Sequence, residues 1–207
     1  MKLIVFGATG TIGRLIVAKA LEQGHSVTAY ARRPEALAQR HPALSLVAGD
    51  ARDAAAVDAA VRGHDAVLVT LGAGRKGGVR AAGTRNIVAA MERQGVRRLI
   101  CQSTLGAGDS RGNLNFLWRT LMFGLLLRKA LADHEAQEAH VRASRLDWTI
   151  VRPSAFTDAP ADGRYRHGFA PDVQGLSLKI PRADVAGFML RQLADRTYLH
   201  RAAALSC

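Results

Sequence analysis

Three glycines spaced Gly7-x-x-Gly10-x-x-Gly13 follow directly on an apolar run, Leu3-Ile4-Val5-Phe6, and open an amphipathic stretch from Arg14 to Gln23. That order has a chemical use. Gly7 permits the tight turn from strand into helix, Gly10 lets the backbone approach a pyrophosphate, and Gly13 lets the helix lie close on the sheet. Free N–H groups at the helix N-terminus, around Thr11 and Ile12, then meet phosphate oxygens at the positive end of the helix dipole. Thr9 and Thr11 add hydroxyls that can bond the same phosphates. The expected ligand is a dinucleotide, and a glycine-rich structural turn is the plainer alternative.

Ligands of a parallel sheet bind beyond the carboxyl ends of its strands, so each later strand end is a candidate. After the second strand, Arg32 and Arg33 stand where a carboxylate would hold the ribose 2′-hydroxyl of NAD. Two arginines suit a 2′-phosphate instead, so NADP(H) is expected in preference to NAD(H). The third strand end offers Asp50 and Ala51 to the adenine edge. The fourth gives Thr70-Leu71-Gly72, followed by Ala73 and Gly74, where small residues let the backbone pass close to a dinucleotide or merely form a loop. The fifth gives Gln102-Ser103-Thr104, a hydroxyl pair at the edge of the expected nicotinamide pocket. The sixth gives Val151-Arg152-Pro153-Ser154-Ala155-Phe156, a turn flanking the cofactor.

The elements that position these residues follow a strand–helix rhythm. Strands are expected at 26–30, 44–47, 66–70, 98–102 and 148–151, with helices at 34–40, 54–62 and 77–94, the last capped by Gly95. Continuous apolar strands between amphipathic helices predict a doubly wound parallel α/β sheet covered on both faces. The second half is less regular. Residues 114–142 read as helical with a break near Gly124, 154–175 as a loop-rich excursion, 176–180 as a short strand, 182–193 as a helix and 199–205 as a final edge strand. One domain over 1–207 is expected, with a small lobe from about 154 to 180.

Composition narrows the classes. The 207 residues are 48% hydrophobic and 22% charged, as in ordinary globular proteins, but the net charge is +12. The arginines are scattered rather than massed, and aromatics make up only 5% of the chain, too few for base-stacking platforms. Nucleic acid is therefore not an expected partner, and the excess charge favours an anionic cofactor. Cys101 and Cys207 form no disulfide framework or metal spacing, which suits a reducing cytoplasm. The apolar segment Leu114 to Leu127 is interrupted by Arg119 and is too short to span a membrane; interfacial contact is its limit. With Phe116, Trp118, Met122 and Phe123 it is a candidate lid, core element or dimer face, and the chain is expected to be a monomer or homodimer.

Gly-Ala-Thr-Gly-x-x-Gly at 7–13, Gly-Asp at 49–50, Ser-Thr-Leu-Gly at 103–106 and Leu-Asp-Trp-Thr-Ile-Val-Arg-Pro-Ser at 146–154 resemble the atypical short-chain dehydrogenase/reductase family. The branch they resemble holds NmrA-like and flavin reductase/biliverdin-IXβ reductase-like NAD(P)H-binding proteins. The resemblance covers essentially the whole chain and implies a Rossmann-type fold. It also implies an NADP(H)-dependent oxidoreductase whose small-molecule hydride acceptor is a flavin, a quinone or a similar flat carbonyl compound. The alternative it allows is a non-catalytic redox sensor of NmrA type.

The wider family uses a Tyr-x-x-x-Lys pair, which this chain lacks: four residues after Tyr30, Tyr165 and Tyr198 come Pro34, Phe169 and Ala202. Counted back through Glu138 from the Arg-Pro turn, the matching helix positions are Ala130 and His134. Ser103 and His134 are thus the catalytic candidates. Ser103 would donate a hydrogen bond to substrate or carboxamide, or else simply cap its strand. His134 would hold ribose or give a proton, or else be a helix-surface residue between Asp133 and Glu135. The related reductases carry a histidine just after the sixth strand where this chain has Ser154.

Overall fold

The computed structural model describes residues 1–72, 74 and 77–207. β1 (Lys2–Phe6) runs into α1 (Gly13–Glu22), β2 (Ser26–Ala31), β3 (Leu44–Ala48), α2 (Ala54–Val61), β4 (Ala66–Val69), α3 (Arg80–Gln94) and β5 (Arg98–Gln102). A wide-turned π-helical segment (Leu117–Leu126) then precedes α4 (Arg128–Arg142) and β6 (Asp147–Pro153). The late chain forms β7 (Ala155–Thr157), β8 (Arg166–His167), β9 (Lys179–Pro181), α5 (Arg182–Arg191) and β10 (Arg201–Ser206). The sheet order is β3-β2-β1-β4-β5-β6-β10-β8, parallel except for β8, and β7 pairs with β9 in a separate two-stranded sheet.

The apolar strands read as continuous because both faces of the sheet are buried. In β1, Leu3 and Val5 join a core with Ile16, Val17 and Ala20 of α1 and Val185, Phe188 and Met189 of α5. Ile4 and Phe6 join the opposite core with Val57 of α2, Ile87 and Met91 of α3 and Val141 of α4. A third, smaller cluster of Leu105, Leu114, Phe123, Leu131 and Leu178 lies under the late loops. This is the doubly wound sheet the alternation predicts. The strand order reverses between β1 and β4, and that switch point is where such sheets open a crevice.

Several expected boundaries shift, each for a local reason. The helix expected over 34–40 is a single 3-10 turn, Pro34–Ala36, since only its proline-led start closes. The helix expected from Gly77 begins at Arg80, because Gly77 and Gly78 take left-handed backbone angles that a helix does not accommodate. The break in the 114–142 region falls at Leu127, whose N–H returns to Met122 and closes the wide turns, rather than at Gly124. The final strand is not at the edge: β10 lies between β6 and β8. The excursion after residue 154 also contributes two short strands, β7 and β8. Gly95 caps α3 in the left-handed conformation, as expected.

Candidate functional site

The glycine turn is built as its spacing demands. Gly7 has φ +84°, and a Cβ there would lie 2.6 Å from the Thr70 carbonyl oxygen, so the ends of β1 and β4 approach backbone to backbone. A side chain at Gly13 would strike the Gly7 carbonyl, which makes this glycine a condition of the turn itself rather than a ligand contact. The Gly10 N–H donates to the Gly7 carbonyl at 2.9 Å and locks the loop. Ile12 is the buried residue before α1 and makes no side-chain cap; in the first turn the Arg14 N–H donates back to the Gly10 carbonyl at 3.0 Å, continuing the helical pattern into the glycine loop.

Beyond this turn lies a cleft of about 380 Å³ at the switch point. It gathers Gly7, Thr9, Gly10, Thr11 and Ile12 after β1, Arg32 after β2, Asp50 and Ala51 after β3, Thr70, Leu71 and Gly72 after β4, and Phe156 from β7. Most of the expected cofactor residues therefore meet in one place. Three depart from expectation in detail. Arg33 is exposed and outside the cleft, because it leads the chain into the Pro34 turn. The Asp50 carboxylate is held by Arg52 at 2.6 Å, and this guanidinium pulls its pKa down to about 2, so it sits paired at the cleft edge. The Thr70 hydroxyl donates to the Phe6 carbonyl at 3.1 Å and braces β1 against β4. Ala73 lies outside the described residues.

A second cavity of about 350 Å³ adjoins the first, sharing Arg80, Gln102 and Phe156 with it. Its walls are Leu105, Leu114, Trp118, Phe123, Leu127 and Leu178, with Ala130 and His134 from α4 and Ser103, Pro153, Ser154 and Ala155 from the ends of β5 and β6. The 114–127 segment is thus a cavity wall through four of its side chains, while Phe116 points outward. His134 is buried on this wall, so the helix-surface reading of it fails. Burial, reinforced by the Arg80 charge, lowers its pKa to about 3, leaving a neutral imidazole near neutral pH. It can exchange hydrogen bonds there but holds no spare proton to give.

Five polar atoms around this junction are buried without a protein partner: Ser103 Oγ, Ser154 Oγ, His134 Nδ1, Gln102 Oε1 and Arg80 Nε. Buried polar groups are almost always bonded, so this group of orphans around one cavity marks the junction as a candidate ligand site. Arg80 is the residue that the sequence reading did not find. Its backbone N–H and guanidinium both meet the Asp133 carboxylate, at 3.1 and 3.5 Å, which aims the side chain between the two cavities. The signal was present as a cation just after a glycine-rich loop, but placing the helix start at Gly77 hid it.

The frame behind the wall is an ion-pair network. Arg152 in β6 holds Glu138 of α4 through two bonds of 2.8 and 2.6 Å and also meets Asp109. It points away from the cavity, so the sixth strand end presents Pro153 and Ser154 while Arg152 fastens α4. Among the described residues there is no cluster of His, Cys, Asp and Glu suited to a metal ion, and no helix is long and apolar enough to cross a membrane.

A cleft at the switch point of a 3-2-1-4-5-6 sheet, opening into a second cavity at the ends of β5 and β6, defines a Rossmann-type dinucleotide-binding fold. Within that class the chain belongs to the NAD(P)H-binding family, which it matches over residues 7–196. The curated relatives it matches are longer. The chain spans 12% of a group of uncharacterized mycobacterial proteins and 48% of the (4-alkanoyl-5-oxo-2,5-dihydrofuran-3-yl)methyl phosphate reductase of Streptomyces griseus. It is 34% identical to the latter over 155 residues, 74% of this chain.

Among solved structures, the oxidoreductase ylbE of Lactococcus lactis superposes with a TM-score of 0.84 at 20% identity, covering 99% of this chain and 90% of that one. ChuY of Escherichia coli, described as an anaerobillin reductase, gives 0.82 at 26% identity with 99% and 96% covered. A Veillonella parvula short-chain dehydrogenase/reductase in complex with NADP gives 0.80 at 21% identity with 99% and 93% covered.

Proposed function

We propose that this chain is an NADP(H)-dependent reductase that passes hydride to a flat, conjugated acceptor, a flavin, a quinone or a similar carbonyl compound. The observation that carries the proposal is the mostly apolar cavity abutting the cofactor cleft, with unpartnered Ser103, Ser154, His134 and Gln102 atoms at the junction. A sensor that only binds the dinucleotide has no need of such a chamber. The described activity of ChuY, a reductase, points the same way.

The residues present fit the cofactor. The glycine turn and the N-terminus of α1 would receive the pyrophosphate, and Arg32 at the cleft would meet a 2′-phosphate, which favours NADP(H) over NAD(H). Reduced nicotinamide supplies the hydride when bound; the protein supplies orientation and electrostatics. Ser103 and Ser154 would donate hydrogen bonds to the carboxamide or to the acceptor carbonyl. Arg80, aimed by Asp133, would stabilise negative charge developing on a bound acceptor. Trp118, Phe123 and Leu127 exclude water from the face of the acceptor. Because His134 is neutral and no tyrosine–lysine pair exists, the accompanying proton comes from solvent, which a delocalised acceptor anion permits.

NADPH oxidation measured against FMN and a series of quinones tests this directly. Turnover should occur with at least one of them and fall about 100-fold in Ser103→Ala, the lower end of the loss expected for one donor to developing charge. Absence of turnover across the whole panel, with NADPH binding intact, would refute the reductase and leave the NmrA-type sensor.

A further inference from the structure

Seven large apolar side chains are exposed among the described residues, and five of them fall within residues 116–126: Phe116, Leu117, Leu121, Leu125 and Leu126. Phe116 is 74% and Leu125 70% exposed. The opposite side of the same segment, through Trp118 and Phe123, walls the acceptor cavity. A helix apolar on both sides is normally a buried one, yet nothing among the described residues covers its outer face. The charged residues within and beside it in sequence are cations. Between Asp109 and Asp133 the chain carries Arg111, Arg119, Arg128 and Lys129, all exposed, and no carboxylate.

We propose that Leu117–Leu126 is a membrane-docking element, lying in the interface of an anionic bilayer with its leucines at the acyl boundary and the flanking cations on lipid phosphates. The cavity behind it then receives an apolar acceptor dissolved in that bilayer, a half of the proposal that rests on the reductase reading. The segment's 10 residues cannot span a bilayer, which takes about 20, but they suit the interface. A lipid surface fits better than a second copy. Two copies meeting through this face would set the same four flanking cations against each other, in a chain of net charge +12. An anionic bilayer offers both the apolar phase and the countercharge.

The full chain should sediment with vesicles containing phosphatidylglycerol at least about tenfold more strongly than with phosphatidylcholine alone. Leu121→Ser/Leu125→Ser and, separately, Arg119→Glu/Arg128→Glu should each cut that binding about tenfold while the NADPH titration stays at the wild-type value. No binding to anionic vesicles, or binding that both variants retain, overturns the docking proposal. A concentration-dependent dimer abolished by the leucine variant, without vesicle binding, also overturns it and assigns the face to a second copy.

The acceptor half is read by NADPH oxidation with a long-chain quinone embedded in the vesicles beside a short-chain quinone in water. Loss of the embedded reaction alone in the leucine variant supports delivery from the bilayer, and equal rates in variant and wild type refute it. Vesicle binding with neither quinone reduced leaves docking intact and overturns the acceptor half, while the FMN and quinone panel decides the reductase itself. Reduction of the soluble quinone without vesicle binding overturns docking and leaves the reductase intact.

Discussion

Arg152→Met is the perturbation whose cost the structure defines best. The guanidinium and the Glu138 carboxylate are 4% and 5% exposed, joined by bonds of 2.8 and 2.6 Å. Removing the arginine leaves the glutamate charge inside α4, and breaking such a pair from one side costs about 3–5 kcal/mol. Arg142, 3.6 Å from the same carboxylate and itself half-exposed, can recover part of that, which places the expectation near the lower end. With a urea dependence of about 2 kcal/mol per molar, a loss of about 3 kcal/mol lowers the unfolding midpoint by roughly 1.5 M. The double variant Glu138→Leu/Arg152→Met removes both charges and should recover to within about 1 kcal/mol of wild type, because an apolar pair of similar volume carries no orphan. Urea unfolding followed by far-ultraviolet circular dichroism measures all three proteins. A single-variant midpoint within about 0.3 M of wild type, or a double variant no more stable than the single, would refute the view that this pair fastens α4 behind the cavity.

Two further outcomes follow from the site. Arg32→Ala should raise the NADPH dissociation constant about 10- to 100-fold, the worth of a charged hydrogen bond, and leave that for NADH within about twofold; Arg33→Ala, outside the cleft, should do much less, and an equal shift for both cofactors would defeat the 2′-phosphate assignment. His134 makes stability acid-sensitive with a definite sign. Its pKa falls from 6.5 unfolded to about 3 folded, so the stabilising effect of its neutrality is complete above 6.5 and is lost as pH falls towards 3. The slope is about 1.4 kcal/mol per pH unit below 6.5. Urea midpoints measured between about pH 6.5 and 4 should therefore fall less steeply in His134→Gln than in wild type, and identical slopes would show that the histidine is hydrated in the fold.

The sheet was legible because its information is local and repeated. Alternate residues of β1 serve opposite cores, Leu3 and Val5 one and Ile4 and Phe6 the other, so every position is apolar and the strand announces itself. Gly7 and Gly13 were legible for a similar reason: each is demanded by backbone contacts within its own turn or with the neighbouring strand end. Arg80, β8 and the wide turns of 117–126 were not, since each depends on a partner distant in sequence: Asp133 of α4 for the arginine, β10 for the two-residue strand, the late loops for the helix.

Helix α4 shows what a finer reading would need. Ala130, His134, Gln137, Glu138 and Val141 recur at helical spacing and all face inward, although three of them are polar. An inward polar residue must find a partner or a ligand. Glu138 finds Arg152, and Gln137 donates to the Thr84 hydroxyl at 3.0 Å, so those two are structural. His134 Nδ1 finds none; Gln137 Oε1 is also unbonded, but His134 is the one of the three that borders the cavity. Helical spacing alone marks all three as inward, but only the partners supplied by β6 and α3 separate the residues that hold the fold from the one left facing the site.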